Sequence, residues 1–176
     1  MNIYCKFFLI LIFAGLLSCN SEKRDKVKQQ SETVVTQDVF IDAHKQAITK
    51  ENGQIDDFLR RYHWNMKTTG TGLRYMIYEH GDGNKIKVDD VVTLEYSIVF
   101  LNGDTVYTSY RDGLKSFIVG HSNEAAGLEE ALLLMNVGDK AKLIVPSFLA
   151  YGVSGDANKI SIKNTLVYDI YVVNVK

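Results

Sequence analysis

Proline, cysteine and net charge are all scarce in this chain. Its 176 residues hold one proline, two cysteines and a formal net charge of -1. Each shortage excludes something. A near-balanced charge gives no electrostatic reason to expect nucleic acid or an anionic surface as partner. The four histidines, His44, His63, His80 and His121, are far apart and lack metal-ligand spacing, so neither a metal nor a cofactor is expected. Asp82 opens what looks like a calcium loop, but Lys87 and Thr93 break the pattern, which rules out an EF-hand. Gly152-Val153-Ser154-Gly155 lacks the spacing of a nucleophile elbow. Nothing points to hydrolysis, phosphoryl transfer or redox chemistry.

What is present has the balance of a globular protein, with 46% hydrophobic and 23% charged residues, enough for one good core plus appendages. Ten tyrosines and little proline suit a β-rich domain. At the N-terminus, Lys6 precedes the apolar run FFLILIFAGLL at 7–17, too short to span a membrane and of the length of a signal-peptide core. Leu16-Leu17-Ser18-Cys19 follows, in the order of a bacterial lipobox. Residues 1–18 are therefore expected to leave as a signal peptide. Cys5 would leave with them, so the mature chain would keep Cys19 alone, with no disulfide partner. Acylation would occupy that thiol and anchor the chain to a membrane. Asn20 is no retention aspartate, which favours a periplasm-facing outer-membrane location in a two-membrane envelope.

Residues 19–36 are polar and mixed in sign, and read as a flexible tether. Over 37–66, apolar residues recur at helical spacing in two blocks, Phe40 to Ile48 and Ile55 to Tyr62, with a break expected at Asn52-Gly53. The apolar stripe would dock on the following domain or pair two copies of the chain. From residue 72 the periodicity changes. Strands are expected around 73–77, 91–101, 115–119, 140–145 and 165–175, with a hairpin turn at Asn102-Gly103-Asp104. One helix is expected over 123–135, with Asn123 as N-cap and Asn136-Val137-Gly138 as its stop. Strands around a single helix give an α+β class with an antiparallel sheet wrapped on that helix. Pro146 closes a strand and places Tyr151, in VPSFLAYG, on a loop, where packing alone rarely demands a tyrosine.

GDGNKIKVDDVVTLEYSIVFLNGDTVY, FIVG at 117–120, GLEEALLLMNVGDKAKLIVPSFLAYG and TLVYDIYVVNV, in that order, resemble an FKBP-type peptidyl-prolyl isomerase domain over 72–176. With the lipobox and Tyr62-His63-Trp64, the likeness extends to the FKBP-like lipoproteins of gliding bacteria. The resemblance implies an antiparallel half-barrel around one short helix, and proline-containing segments of envelope proteins, those of a gliding machinery included, as substrates. It implies catalytic roles for Tyr151 and Tyr96, and a substrate pocket formed by Val106, Tyr107, Ala125, Leu128, Ile160 and Tyr168. The chain departs from the family pattern at several of these places. Val106-Tyr107 stands where Phe-Asp is usual, so the customary carboxylate is missing. Lys115 replaces an aromatic, Glu124-Ala125 replaces Val-Ile, Leu128 replaces tryptophan and Tyr168 replaces phenylalanine. Two functions stay open: a lipid-anchored isomerase, or a binding module using the same cleft within a motility or secretion assembly.

Overall fold

Alternation of apolar and polar residues builds most of this molecule. Strand β3, Val91–Phe100, buries Val92, Leu94, Tyr96 and Ile98 on one face, the period-two pattern of a half-buried strand. A computed structural model describes the backbone from residue 22 to residue 176, and side chains from residue 39 onward. The signal segment and Cys19 lie outside the described residues. The chain divides into two units, 1–48 and 49–176.

Helix α1, Glu22–Tyr62, runs through both units. It corrects two expectations. Residues 22–36, read as a flexible tether, are helical, because Glu, Lys, Arg and Gln are strong helix formers and no Gly or Pro interrupts them. The helix also passes Asn52-Gly53 unbroken. One glycine costs about 1 kcal/mol, and contacts of the turns that follow offset it: Ile55 and Phe58 are buried against Ile144 and Val167, with Leu59 and Trp64 packed around them. Tyr62, tilted, and Trp64, edge-on, pack against Phe58 with centroids 4.4 and 5.4 Å from its ring. Among the described residues, no helix is long and apolar enough to cross a membrane.

The second unit is a seven-stranded antiparallel sheet: β1 (Lys67–Thr68), β2 (Arg74–Glu79), β3, β4 (Thr105–Thr108), β5 (Lys115–Ile118), β6 (Lys140–Val145) and β7 (Leu166–Val175). The order is β1-β2-β6-β7-β3-β4, with β5 also pairing β3. Register shifts interrupt β2 against β6 between Ile77 and Glu79, and β3 against β4 between Ile98 and Val99. Such irregularities bend strands and let a sheet wrap. Helix α3, Ala126–Leu132, buries Gly127, Leu128, Ala131 and Leu132 in the main core with β3, β6 and β7. Gly127 is needed there, since a Cβ would sit 2.6 Å from Val145 Cγ1. This is the expected sheet on one short helix.

Details differ. The N-cap of α3 is Ala125, whose methyl group offers no cap hydrogen bond, and not Asn123; the helix also stops at Leu132, before the Asn136-Val137-Gly138 turn. A four-residue helix α2, Ser109–Asp112, follows β4, with the Thr108 side chain accepting from the Arg111 N–H as its cap. It is too short to leave a periodic signal in the sequence.

Candidate functional site

Tyr151 lies five residues beyond the proline that ends β6. Pro146 stops the ladder, a 3-10 turn follows at Ser147–Leu149, and the loop carries Tyr151 half-buried against the main core. The other candidates arrive from separate elements. Tyr96 and Val106 come from β3 and β4, Ala125 and Leu128 from the start of α3, Ile160 from the loop, and Tyr168 from β7. Ile98 of β3 has Tyr107 on one flank and Tyr168 on the other, which places the two in one row across the sheet with Ile98 between them. Tyr96, Val106, Ala125, Leu128, Ile160 and Tyr168 are all buried in one cluster, with Tyr107 and Tyr151 packed at its edge. All eight thus belong to the main core or its edge. Cys19, the expected lipidation site, lies outside the described residues.

Polar groups at the edge of this cluster form two sets. In the first, Lys115 Nζ sits 2.8 Å from both carboxylate oxygens of Glu124 and 5.3 Å from the centroid of Tyr96. The Tyr151 hydroxyl donates to Glu124 Oε2 at 3.4 Å. Burial first, and then the negative charges of Glu124 and Asp156, push the Tyr151 hydroxyl far above its ordinary value. It therefore stays protonated, a donor at any physiological pH. Tyr96 is also raised, by burial and by Asp112 and Glu124.

The second set is built on Asp156. The Tyr107 hydroxyl donates to Asp156 Oδ2 at 2.6 Å, and the N–H groups of Asn158 and Ile160 donate to Oδ1 at 2.9 and 2.8 Å. Burial works to raise the Asp156 carboxyl, but these hydrogen bonds outweigh it and hold the group below its usual value. Lys159 Nζ lies 4.6 Å from the centroid of the Tyr107 ring. A carboxylate does therefore stand beside the cluster, supplied by Asp156 instead of the position held by Tyr107.

Tyr168 is the odd member. It is 1% exposed, and its buried hydroxyl stands near that of Tyr151 but outside hydrogen-bond geometry, with no other partner among the described residues. Burial leads in pushing this group well above the phenolic range. A buried hydroxyl left unpaired costs stability, so each one calls for an explanation, an ordered water or a functional role among them.

Sequence reasoning had noted Lys115 and Glu124 as departures without foreseeing that they pair, and it missed Asp156 altogether. Two signals were available: an exchange of two apolar positions for opposite charges, and the Asp-x-Asn spacing at 156–158 typical of a side chain that caps its own loop. Among the described residues, no group of acidic, His or Cys side chains could hold a metal ion.

Comparison with known proteins places this arrangement. Residues 83–173 match the model of the FKBP-type peptidyl-prolyl cis-trans isomerase family. The chain is 32% identical over 151 residues to the probable FKBP-type peptidyl-prolyl cis-trans isomerase FkpA of Neisseria meningitidis serogroup B, covering 84% of this chain and 52% of that one. It is 35% identical over 106 residues to the outer membrane protein MIP of Legionella longbeachae, covering 60% of this chain and 45% of that one. The chain thus spans about half the length of these curated relatives. The crystal structure of FkpA from Escherichia coli superposes with a TM-score of 0.64 at 28% identity, covering 97% of this chain and 82% of that one.

Proposed function

This chain belongs to the FKBP-type peptidyl-prolyl cis-trans isomerase family, and we propose that it accelerates rotation about X–Pro bonds in extended polypeptide segments. The observation that carries the proposal is Tyr151, a protonated hydroxyl held on a loop beside an apolar cluster. Rotation about an X–Pro bond faces a barrier of roughly 18–20 kcal/mol because it breaks amide resonance. No nucleophile is needed to lower it. Leu128, Ala125, Val106, Ile160 and the rings of Tyr96, Tyr107 and Tyr168 would surround the pyrrolidine ring and strip water from the imide, a surrounding that favours the less polar twisted form. Tyr151 would donate to the carbonyl of the residue before proline as the bond twists, with Tyr96 supporting the same acceptor from the β3 wall. To do so Tyr151 must release Glu124, whose carboxylate keeps both contacts to Lys115.

The same proposal extends to where the protein works. Acylation at Cys19, supported by the Leu16-Leu17-Ser18-Cys19 run, would hold the domain at a membrane, on the periplasm-facing side of the outer membrane. The relative named an outer membrane protein supports an envelope setting. Clients would be envelope proteins with exposed X–Pro segments, including those of a gliding machinery, a reading supported by the sequence likeness alone. Exposed Val39, Phe40 and Ile41 on α1 support pairing of two copies through this helix.

One observation favours a second reading, a binding module with little turnover. The Tyr151 hydroxyl already has an acceptor in Glu124, and Lys115 replaces apolar wall. Exchange on short X–Pro peptides separates the two. Uncatalysed exchange takes tens to hundreds of seconds, so modest catalysis is visible by exchange NMR. A rate above the uncatalysed background supports the isomerase. Peptide binding without acceleration supports the module.

A further inference from the structure

The loop at 146–165 carries Tyr151, Asp156 and Ile160, yet it belongs to no ladder. Its two stems are joined by one carboxylate from elsewhere in the chain. Glu51 Oε1 accepts from the Ser147 N–H at 2.6 Å and from the Thr165 hydroxyl at 2.5 Å, and Oε2 accepts from the Ser147 hydroxyl at 3.1 Å. Ser147 begins the 3-10 turn, and its preceding residue, Pro146, offers no side-chain cap. Glu51 supplies that cap from α1. Thr165 is buried and directly precedes β7, the strand of Tyr168.

Two further contacts make the link rigid. From Ser147 the carbonyl accepts the Gly152 N–H at 2.8 Å, so the residue held by Glu51 is bonded to the neighbour of Tyr151. Asn52, next to Glu51, accepts from Arg74 Nη2 at 2.9 Å, and the buried Arg74 also donates to the Gly72 carbonyl at 2.6 Å. With Ile55 and Phe58 buried against Ile144 and Val167, the helix turn that bears Glu51 is seated on the sheet from two sides.

We propose that Glu51 is a positioning residue for the isomerase site, clamping both stems of the 146–165 loop so that the Tyr151 hydroxyl stands where the twisting carbonyl needs it. The inference rests on the isomerase reading. Misplacing a reacting group by about 1 Å is enough to cost a large part of a rate. The clamp requires an acceptor at residue 51 and not a negative charge: one oxygen takes both the Ser147 N–H and the Thr165 hydroxyl, and the Ser147 hydroxyl, which can also accept, can turn to meet an amide nitrogen in place of the second oxygen.

The test compares Glu51→Ala and Glu51→Gln in the full-length chain purified in detergent. Glu51→Ala is expected to lower kcat on X–Pro peptides by about tenfold with little change in KM, and to speed hydrogen exchange at the Ser147 and Gly152 amides. Glu51→Gln keeps an acceptor oxygen and is expected to stay within about twofold of the parent in both readouts. An unchanged kcat in a folded Glu51→Ala protein overturns the proposal, and so does an equal loss in both variants. If Glu51→Ala does not fold, Thr165→Val removes one of the three bonds at constant shape; a lowered kcat then supports the clamp, and an unchanged one overturns it. Should the parent itself show no catalysis, the isomerase reading fails by that result, and unchanged exchange at Ser147 and Gly152 in Glu51→Ala would overturn the clamp separately.

Discussion

The two walls of the proposed site are held by different physics. On the sheet wall, Tyr96, Val106 and Tyr168 are fixed by strand ladders, with Tyr168 between Ile98 of β3 and Leu143 of β6. On the loop wall, Tyr151 and Ile160 have no ladder. Isolated backbone bonds, such as Gly155 N–H to the Tyr151 carbonyl and Asp156 N–H to the Ile160 carbonyl, hold them together with side-chain acceptors: Glu51 at the stems, Asp156 within the loop and Glu124 at the Tyr151 hydroxyl. Ladders resist deformation because each bond supports its neighbours. Side-chain acceptors fail one at a time. Damage to the sheet wall should therefore register as lost stability, and damage to the loop wall mainly as lost activity.

Tyr168→Ala should show the largest effect. Emptying a fully buried aromatic position is expected to cost about 3–5 kcal/mol, read from denaturant unfolding. Tyr168→Phe removes only an unpaired hydroxyl and should leave stability level or raise it by up to about 1 kcal/mol. A clear loss in Tyr168→Phe would show that the hydroxyl is satisfied after all. On the loop wall, Gly155→Ala is the corresponding break. Gly155 has φ +70, and a Cβ would meet the Ile160 carbonyl oxygen at 2.4 Å. The expected cost is about 1–3 kcal/mol, with turnover falling further than stability explains.

How much of this was legible in the sequence follows the same division. Each strand of the sheet wall announces itself by alternation, and Pro146 with Gly152 marked the loop that carries Tyr151. The fixings of the loop wall were hidden. Glu51 lies 96 residues from Ser147 and 114 from Thr165, and no local periodicity links positions so far apart. Helix α1 was misread for a related reason: its polar N-terminal half lacks the apolar stripe that betrays an amphipathic helix, and intrinsic propensity is a weaker signal. Lys115 and Glu124 were seen singly as departures, while their pairing is a fact of three-dimensional placement.

That pair offers a way to sharpen the comparison. Replacing it by Lys115→Phe with Glu124→Val removes both charges together, so neither is left buried alone. The double variant should free the Tyr151 hydroxyl and raise kcat/KM several-fold, about 1 kcal/mol of transition-state stabilisation. Either single variant should lower stability instead. A double variant slower than the parent would mean that Glu124 assists Tyr151.

Acid should act on the loop wall first, and more weakly than any of these substitutions. Because the folded-state pKa of Asp156 is depressed below 3.8, its contribution is present in full above that value and is lost as pH falls through the lower folded value. Unfolding free energy measured across that range should decline, and Tyr107→Phe, which removes the strongest side-chain bond to Asp156, should reduce the decline. Tyr78 supplies the alkaline counterpart. Although the residue is exposed, partial desolvation of its hydroxyl and the bond to Asp169 push this group up to about 12, so its contribution is full below pH 10.0 and lost as pH rises through about 12.

The central claim of the proposal is that the Tyr151 hydroxyl on the loop wall is the principal hydrogen-bond donor to the twisting carbonyl. Exchange NMR on an X–Pro peptide, run with the parent and with Tyr151→Phe at matched folded concentration, tests it most directly. The account predicts catalysis by the parent, a fall of about tenfold or more in Tyr151→Phe, and nearly equal unfolding midpoints. Equal rates in the two proteins would contradict it.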